Sequence, residues 1–138
     1  MKIGFICTGN SARSQIAEGF CKYFAKIYGK NIEIYSAGSD PTGYIHPLAI
    51  KVMSEIGIDI SNQYSKSINE IPYKELNLVI TVCGDAKESC PIIPGIKTEH
   101  WEIPDPNKFE GTEEEKLEYF RKVRDQIKNK VEKLILSL

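Results

Sequence analysis

Residues Leu76–Val82 read LNLVITV. A strand this uniformly apolar must be covered on both faces, which is the habit of a parallel sheet flanked by helices. Lys2–Cys7 (KIGFIC) has the same character, and Ile32–Ala37 (IEIYSA), closed by Gly38, and Lys97–Trp101 supply two further strands. Helical spacing fills the intervals. Ile16, Phe20, Phe24 and Ile27, with Ala17, Cys21 and Tyr28 beside them, predict a helix over 14–28 that stops at Gly29. Pro47 opens a helix that runs to Ile56 and stops at Gly57. Thr112 and Glu115 form a capping box, and Leu117, Phe120, Val123, Ile127, Val131 and Leu134 then mark one stripe of a long last helix whose charged face is solvated. Residues 58–75 are polar and irregular, with short helical turns. Two prolines and a glycine make 102–111 a loop. Strands alternating with helices predict an α/β domain around a parallel sheet. With no repeat, low-complexity tract or linker in 138 residues, one domain over 1–138 is expected.

The net charge of −1 argues against an extended nucleic-acid footprint. No apolar run reaches the about 18 residues that a membrane span requires. The N-terminal run breaks at Thr8-Gly9-Asn10, too early for a signal peptide. A cytoplasmic protein is expected, and in that compartment thiols stay reduced unless they are catalytic or redox-active. Cys7, Cys21, Cys83 and Cys90 therefore each need a separate account.

Ligands of open α/β sheets bind outside the carboxyl ends of the strands. Cys7 ends the first strand, Cys83 follows the third, and Asp105 lies in the loop after the fourth, so three chemically loaded positions converge on one edge. The loop Cys7-Thr8-Gly9-Asn10-Ser11-Ala12-Arg13 feeds a helix N-terminus, where several N–H groups and the helix dipole favour an anion. Gly9 admits close approach of the backbone, Asn10 tolerates a left-handed conformation, and Arg13 offers a planar fork to a tetrahedral oxyanion. The same field favours the thiolate of Cys7, the nucleophilic form. GFICTGNS approximates the nucleotide-binding loop, but Asn10 stands where that motif needs lysine, which excludes nucleotide hydrolysis. A merely buried core cysteine suits Cys21. For Cys7 it leaves Gly9, Asn10 and Arg13 unexplained together.

Cys-x5-Arg followed by Ser14, between a strand and a helix, resembles the low-molecular-weight tyrosine phosphatase fold family. The resemblance implies a three-layer αβα sandwich with a central four-stranded parallel sheet. It also implies that Cys7 is the nucleophile, that residues 8–13 bind the oxyanion with Arg13, that Ser14 stabilises the thiolate, and that Asp105 of Asp105-Pro106 is the general acid.

A phosphatase has no use for Cys83 and Cys90, separated by six residues. Neither that spacing nor the placement of His46 and His100 suits zinc. The pair is either structural or, with Cys7, a set able to pass a disulfide along. The three thiols, with ICTGNSARSQIAEGF, YSAG, IDISNQ, TVCGDAKESCPIIPG, EHW, DP and VRDQIK, resemble the thioredoxin-coupled arsenate reductases, a branch of that fold family. This resemblance implies a monomeric enzyme without cofactor or metal that binds arsenate, with phosphate and sulfate as competitors. Cys7 attacks arsenic, Cys83 attacks Cys7, and Cys90 moves the disulfide to Cys83–Cys90. The segment between the last two rearranges, and thioredoxin resets the enzyme. A phosphatase of the same fold, and a thiol redox sensor without turnover, stand as the alternatives.

Two departures from the family pattern stand out. Ala12 replaces a second loop cysteine that many members carry, which the relay does not need. Some members bind a monovalent cation through Asn, Glu, Ser and Asp. Asn10, Glu18 and Ser36 match, but Lys66 replaces the Asp, so an ammonium substitutes for the metal charge. His100 and Trp101 read as packing at a strand end.

Overall fold

Three strands without exposed positions in their central stretch organise the chain. The computed structural model describes residues 1–84 and 93–138. Strands β1 (Lys2–Cys7), β2 (Glu33–Gly38), β3 (Leu78–Cys83) and β4 (Thr98–Glu102) form one sheet in the order β2-β1-β3-β4, all parallel. Every residue of β3 is buried, as its apolar run requires. The helices are α1 (Arg13–Ile27), α2 (Pro47–Ser54) and α3 (Glu113–Leu136). Boundaries fall within one or two residues of the sequence expectation.

The pleat divides the core. Ile3 and Phe5 of β1 and Ile80 and Val82 of β3 face one way and join the side chains of all three helices. Ile6, Ala37 and Val79 face the other way and pack under Ile71, Leu76 and Ile93. That second face is covered by two short 3₁₀ turns, Ile68–Glu70 and Tyr73–Glu75, in the segment expected to be irregular. Gly4 is small because Leu76 lies against it, with its Cδ1 2.7 Å from where a Cβ would stand.

α3 is capped as expected, with Glu115 N donating to Thr112 Oγ1 (3.2 Å) and Thr112 N to Glu115 Oε1 (3.1 Å). Its buried face is Phe120, Val123, Ile127, Val131 and Ile135. Stepping by four from Ile127 reaches Ile135, which replaces Leu134 at the centre of the stripe. Each of these side chains contributes about 1.5–3 kcal/mol by leaving water. Two further expectations need correcting. Ile27 is exposed, in the last turn of α1, and Ala25 is buried instead. The outer face of α3 is not wholly solvated: Arg124 is buried and donates to Val52 O (2.9 Å) and Glu55 Oε1 (3.1 Å), tying α3 to the end of α2. Trp101 is buried against Phe5 (ring centroids 5.9 Å), whereas His100 is exposed and bonds Thr81 Oγ1 (2.8 Å). Among the described residues no helix is long and apolar enough to cross a membrane.

The chain leaves β1 toward β2 on one side and comes back to β3 on the other. The carboxyl ends of β1 and β3 therefore flank a switch point, where such sheets open a crevice. Gly38, at the end of β2, touches what lies there: an added Cβ would meet Thr8 O at 2.4 Å and Asn10 N at 3.1 Å, both main-chain atoms. Gly38→Ala is expected to lower the unfolding free energy by about 2–3 kcal/mol, the cost of forced overpacking. A urea denaturation midpoint equal to the parent's would show that the loop yields freely.

Candidate active site

The loop between β1 and α1 is held from outside by its carbonyls. Cys7 O accepts from Ser39 N (3.2 Å), Thr8 O from Asp40 N (2.9 Å), Gly9 O from Thr42 N (3.0 Å), Ser11 O from His46 N (2.9 Å) and Ala12 O from Ile16 N (2.9 Å). Asn10 O accepts from Gln15 Nε2 (3.1 Å). In a planar trans peptide the C=O and the following N–H point in opposite directions. Carbonyls turned outward along 7–12 therefore turn the N–H groups of 8–13 inward, which makes an anion-binding concavity. A cavity of about 360 Å³ lies there, lined by residues 7–13 with Asp40, Thr42, Asp105, Asn107 and Lys108. α1 begins at this cavity with Ala12 as N-cap, no side-chain cap and no acid in its first turn. Among the described residues no side chain caps that helix, which leaves its positive end suited to an anion.

Cys7 is a buried free thiol on the floor of the cradle. Asn10 adopts φ +48°, the left-handed region expected for it, and so aims its N–H at Cys7 Sγ (3.2 Å). Ser14 Oγ lies 2.9 Å from Cys7 Sγ. Ser14 Oγ itself accepts from Asn10 Nδ2 (2.8 Å), which leaves the hydroxyl proton to be given to the sulfur. An N–H and a hydroxyl thus converge on Sγ.

Behind the cradle a polar chain holds Asn10. Its Nδ2 also donates to Ser36 Oγ (3.1 Å), and Ser36 Oγ donates to Glu18 Oε1. Glu18 is buried and meets Lys22 Nζ at 2.6 Å and Lys66 Nζ at 3.8 Å. Lys66 Nζ donates to Tyr64 O (3.1 Å), and Lys66 N donates to Asn10 Oδ1 (2.9 Å). Burial lowers the pKa of the Lys66 ammonium, and Glu18 opposes that. The sequence reading missed Gln15, fully buried, whose Nε2 reaches Asn10 Oδ1 (2.9 Å) and Tyr64 O (2.9 Å), and Gln63, which donates to Gln15 Oε1 (2.8 Å). The available signal was a glutamine on the buried side of a first helical turn.

Arg13 is almost fully buried. Its Nη1 donates to Ile103 O (3.1 Å), and its Nη2 lies 3.7 Å from Asp105 Oδ2. Asp105 caps a 3₁₀ turn, Pro106–Lys108, where only loop was expected. Pro106 suits the first position of such a turn, and Asp105 Oδ1 accepts from Asn107 N (3.0 Å). Ile103 N donates to Cys83 O (3.0 Å), so the end of β3 is tied through one residue to Arg13. Cys83 is disulfide-bonded, while Cys7 and Cys21 are free. Cys90 and the polar run 85–89, expected to rearrange, lie outside the described residues. Cys21 sits wholly inside α1, where burial, reinforced by the nearby Glu18, pushes its thiol up to about 12. It is inert, as expected. The structure thus gathers Cys7, residues 8–13, Ser14 and Asp105 at one site, with Cys83 on the adjacent strand end.

Fold and cradle define a class: an α/β protein whose first strand-to-helix loop presents a cysteine inside a cradle shaped for a tetrahedral oxyanion. The chain belongs to the low molecular weight phosphotyrosine protein phosphatase family, whose model matches residues 2–138. It is 48% identical over 130 residues to an arsenate reductase of Bacillus subtilis (strain 168), covering 94% of this chain and 91% of that one. Among solved structures it is similar to an arsenate reductase in the phosphate-binding state (TM-score 0.80, 36% identity, 99% of this chain and 97% of that one). It is also similar to a thioredoxin-dependent arsenate reductase of Corynebacterium glutamicum (TM-score 0.69, 31% identity, 99% of this chain and 63% of that one).

The Lys66 ammonium beside Glu18 predicts that no monovalent metal ion is needed behind the loop. Replacing sodium by potassium at fixed ionic strength should leave the thermal midpoint where it was. A midpoint that climbs with potassium concentration would reveal a bound ion, because a ligand selective for the folded state stabilises it.

Proposed function

We propose that the protein reduces arsenate to arsenite by a relay of three thiols. Arsenate, with the geometry of phosphate, sits against the inward N–H groups of 8–13 and Arg13. The Cys7 thiolate attacks arsenic, and an oxygen leaves as water on taking the proton of Asp105. Cys83 then attacks Cys7 Sγ, and the electron pair of the S–As bond stays on arsenic, which departs as arsenite. The resulting Cys7–Cys83 disulfide is attacked at Cys83 by Cys90, which frees Cys7 and leaves Cys83–Cys90. A thioredoxin-type dithiol supplies the two electrons that restore the resting thiols. In the same reading residues 1–138 act as one domain, monomeric and cytoplasmic, and phosphate and sulfate compete for the cradle.

The observation that carries this reading is the placement of a disulfide-forming sulfur, Cys83, at the end of the strand next to the one that Cys7 ends. A phosphatase needs only Cys7, Arg13 and Asp105. The names of the relatives support the reductase, and the extra cysteines give those names a chemistry in this chain.

Arsenate-dependent NADPH oxidation, coupled through thioredoxin and its reductase, tests the relay. The parent should turn over repeatedly. Cys7→Ser, Cys83→Ser and Cys90→Ser should each fall to the background rate, since each removes a sulfur that the cycle requires. Full turnover in both Cys83→Ser and Cys90→Ser would rule the relay out. Hydrolysis of p-nitrophenyl phosphate without any arsenate turnover would identify a phosphatase instead.

A further inference from the structure

His46 connects three parts of the site and has no role in the reaction as derived above. Its main-chain N–H donates to Ser11 O in the cradle (2.9 Å). Its Nδ1 accepts from Leu48 N (3.1 Å) and so caps α2. An imidazole nitrogen that accepts carries no proton, so the neutral ring holds its proton on Nε2. Nε2 lies 3.0 Å from Asn107 Oδ1, which can only accept. Asn107 N in turn donates to Asp105 Oδ1, and Asp105 Oδ2 faces Arg13. The ring also packs on Phe120 of α3 (centroids 4.7 Å).

We propose that His46 and Asn107 form a latch that holds the turn carrying Asp105 against the oxyanion cradle. Both are positioning residues: they act through the Asp105–Asn107 turn and set where the proton of Asp105 is delivered. The inference rests on the reading of Asp105 as the general acid. Apart from the bond from Asn107 N within its own turn, the carboxylate meets Arg13 at 3.7 Å, an ion pair longer than a hydrogen bond.

The latch closes only around a neutral imidazole. Protonation puts a hydrogen on Nδ1, against the N–H of Leu48, so the ring must turn away from the α2 cap, against the pull of the Asn107 bond, which favours the charged ring. The charged groups around the ring are Asp105 from the turn, which raises its pKa, and Lys116 from α3, which lowers it; Glu113 lines the same cleft. Burial is the largest influence, and the net direction is down from 6.5. The unfolded chain therefore takes up this proton first as pH falls, and the folded state loses stability as pH drops below 6.5 toward the lower folded value. The latch is closed at neutral pH and opens in acid.

His46→Asn keeps an effective cap for α2 but is too short to reach Asn107, and Asn107→Ala removes the acceptor while leaving the cap. In the reduced enzyme, each should slow single-turnover arsenate reduction at neutral pH about tenfold, part of what a general acid supplies, with arsenate affinity nearly unchanged. The double variant should be no slower than either single one, and in an Asp105→Asn background His46→Asn should cost nothing further. Nitrogen-15 NMR of the unmodified protein should show the Nε2–H tautomer of His46, with the amide signals of Asp105 and Asn107 following its titration. The latch is overturned if those amides ignore that titration, if the two losses multiply, or if both single variants run at the parental rate while Asp105→Asn is slow. An Asp105→Asn enzyme as fast as the parent would instead remove the general-acid reading on which the latch rests.

Discussion

Six successive carbonyls, from Cys7 to Ala12, accept hydrogen bonds outside the loop they belong to, and the site depends on this. Peptide planarity converts an outward carbonyl into an inward N–H at the next residue. The donors come from three separate stretches: residues 39–46 after β2, Gln15 and Ile16 in α1, and Ser65, which reaches Gly9 O (3.2 Å). The cradle is therefore not a local property of the loop. It is the shape left when β1, β2 and α1 are packed, and Gly38 must lack a side chain for β2 to come close enough.

Asn10 joins this main-chain frame to the sulfur. One residue in the left-handed region points its N–H at Cys7, its side-chain amide at Ser14 and Ser36, and its side-chain oxygen at Lys66 N and Gln15. The strain of that conformation is offset by these five partners. Glu18, at the far end of the chain, would be a costly buried charge alone. Lys22 and Lys66 both meet it, so the carboxylate of the network that orients Ser14 is not left unpaired.

Much of this was legible because the signals are local. Cys7, Arg13 and Ser14 lie on one strand-loop-helix unit, and the apolar run of β3 forces a covered parallel sheet whose carboxyl ends hold the site. What escaped the sequence was polar contact across long separations. Gln15 and Gln63 meet over 48 residues, and His46 and Asn107 over 61, with no periodicity to announce either pair. The stripe of α3 shifted to Ile135 for a smaller reason, since the apolar pattern offers Leu134 and Ile135 as neighbours and only the packed face chooses between them.

The three cysteines among the described residues show how far environment divides one side chain into different chemistries. Cys21 lies inside α1 with the Glu18 carboxylate nearby, and burial and that charge both oppose its ionisation, so it serves as a small apolar residue. Cys7 lies equally far from solvent, but an N–H and a hydroxyl are aimed at its sulfur and inward amides surround the space above it. The two thiols are buried alike, and the polar groups aimed at Cys7 set its surroundings apart. Cys83 ends the neighbouring strand, its carbonyl tied to Ile103, whose own carbonyl receives Arg13. The first disulfide of the proposed relay would therefore join the ends of two adjacent strands of one sheet.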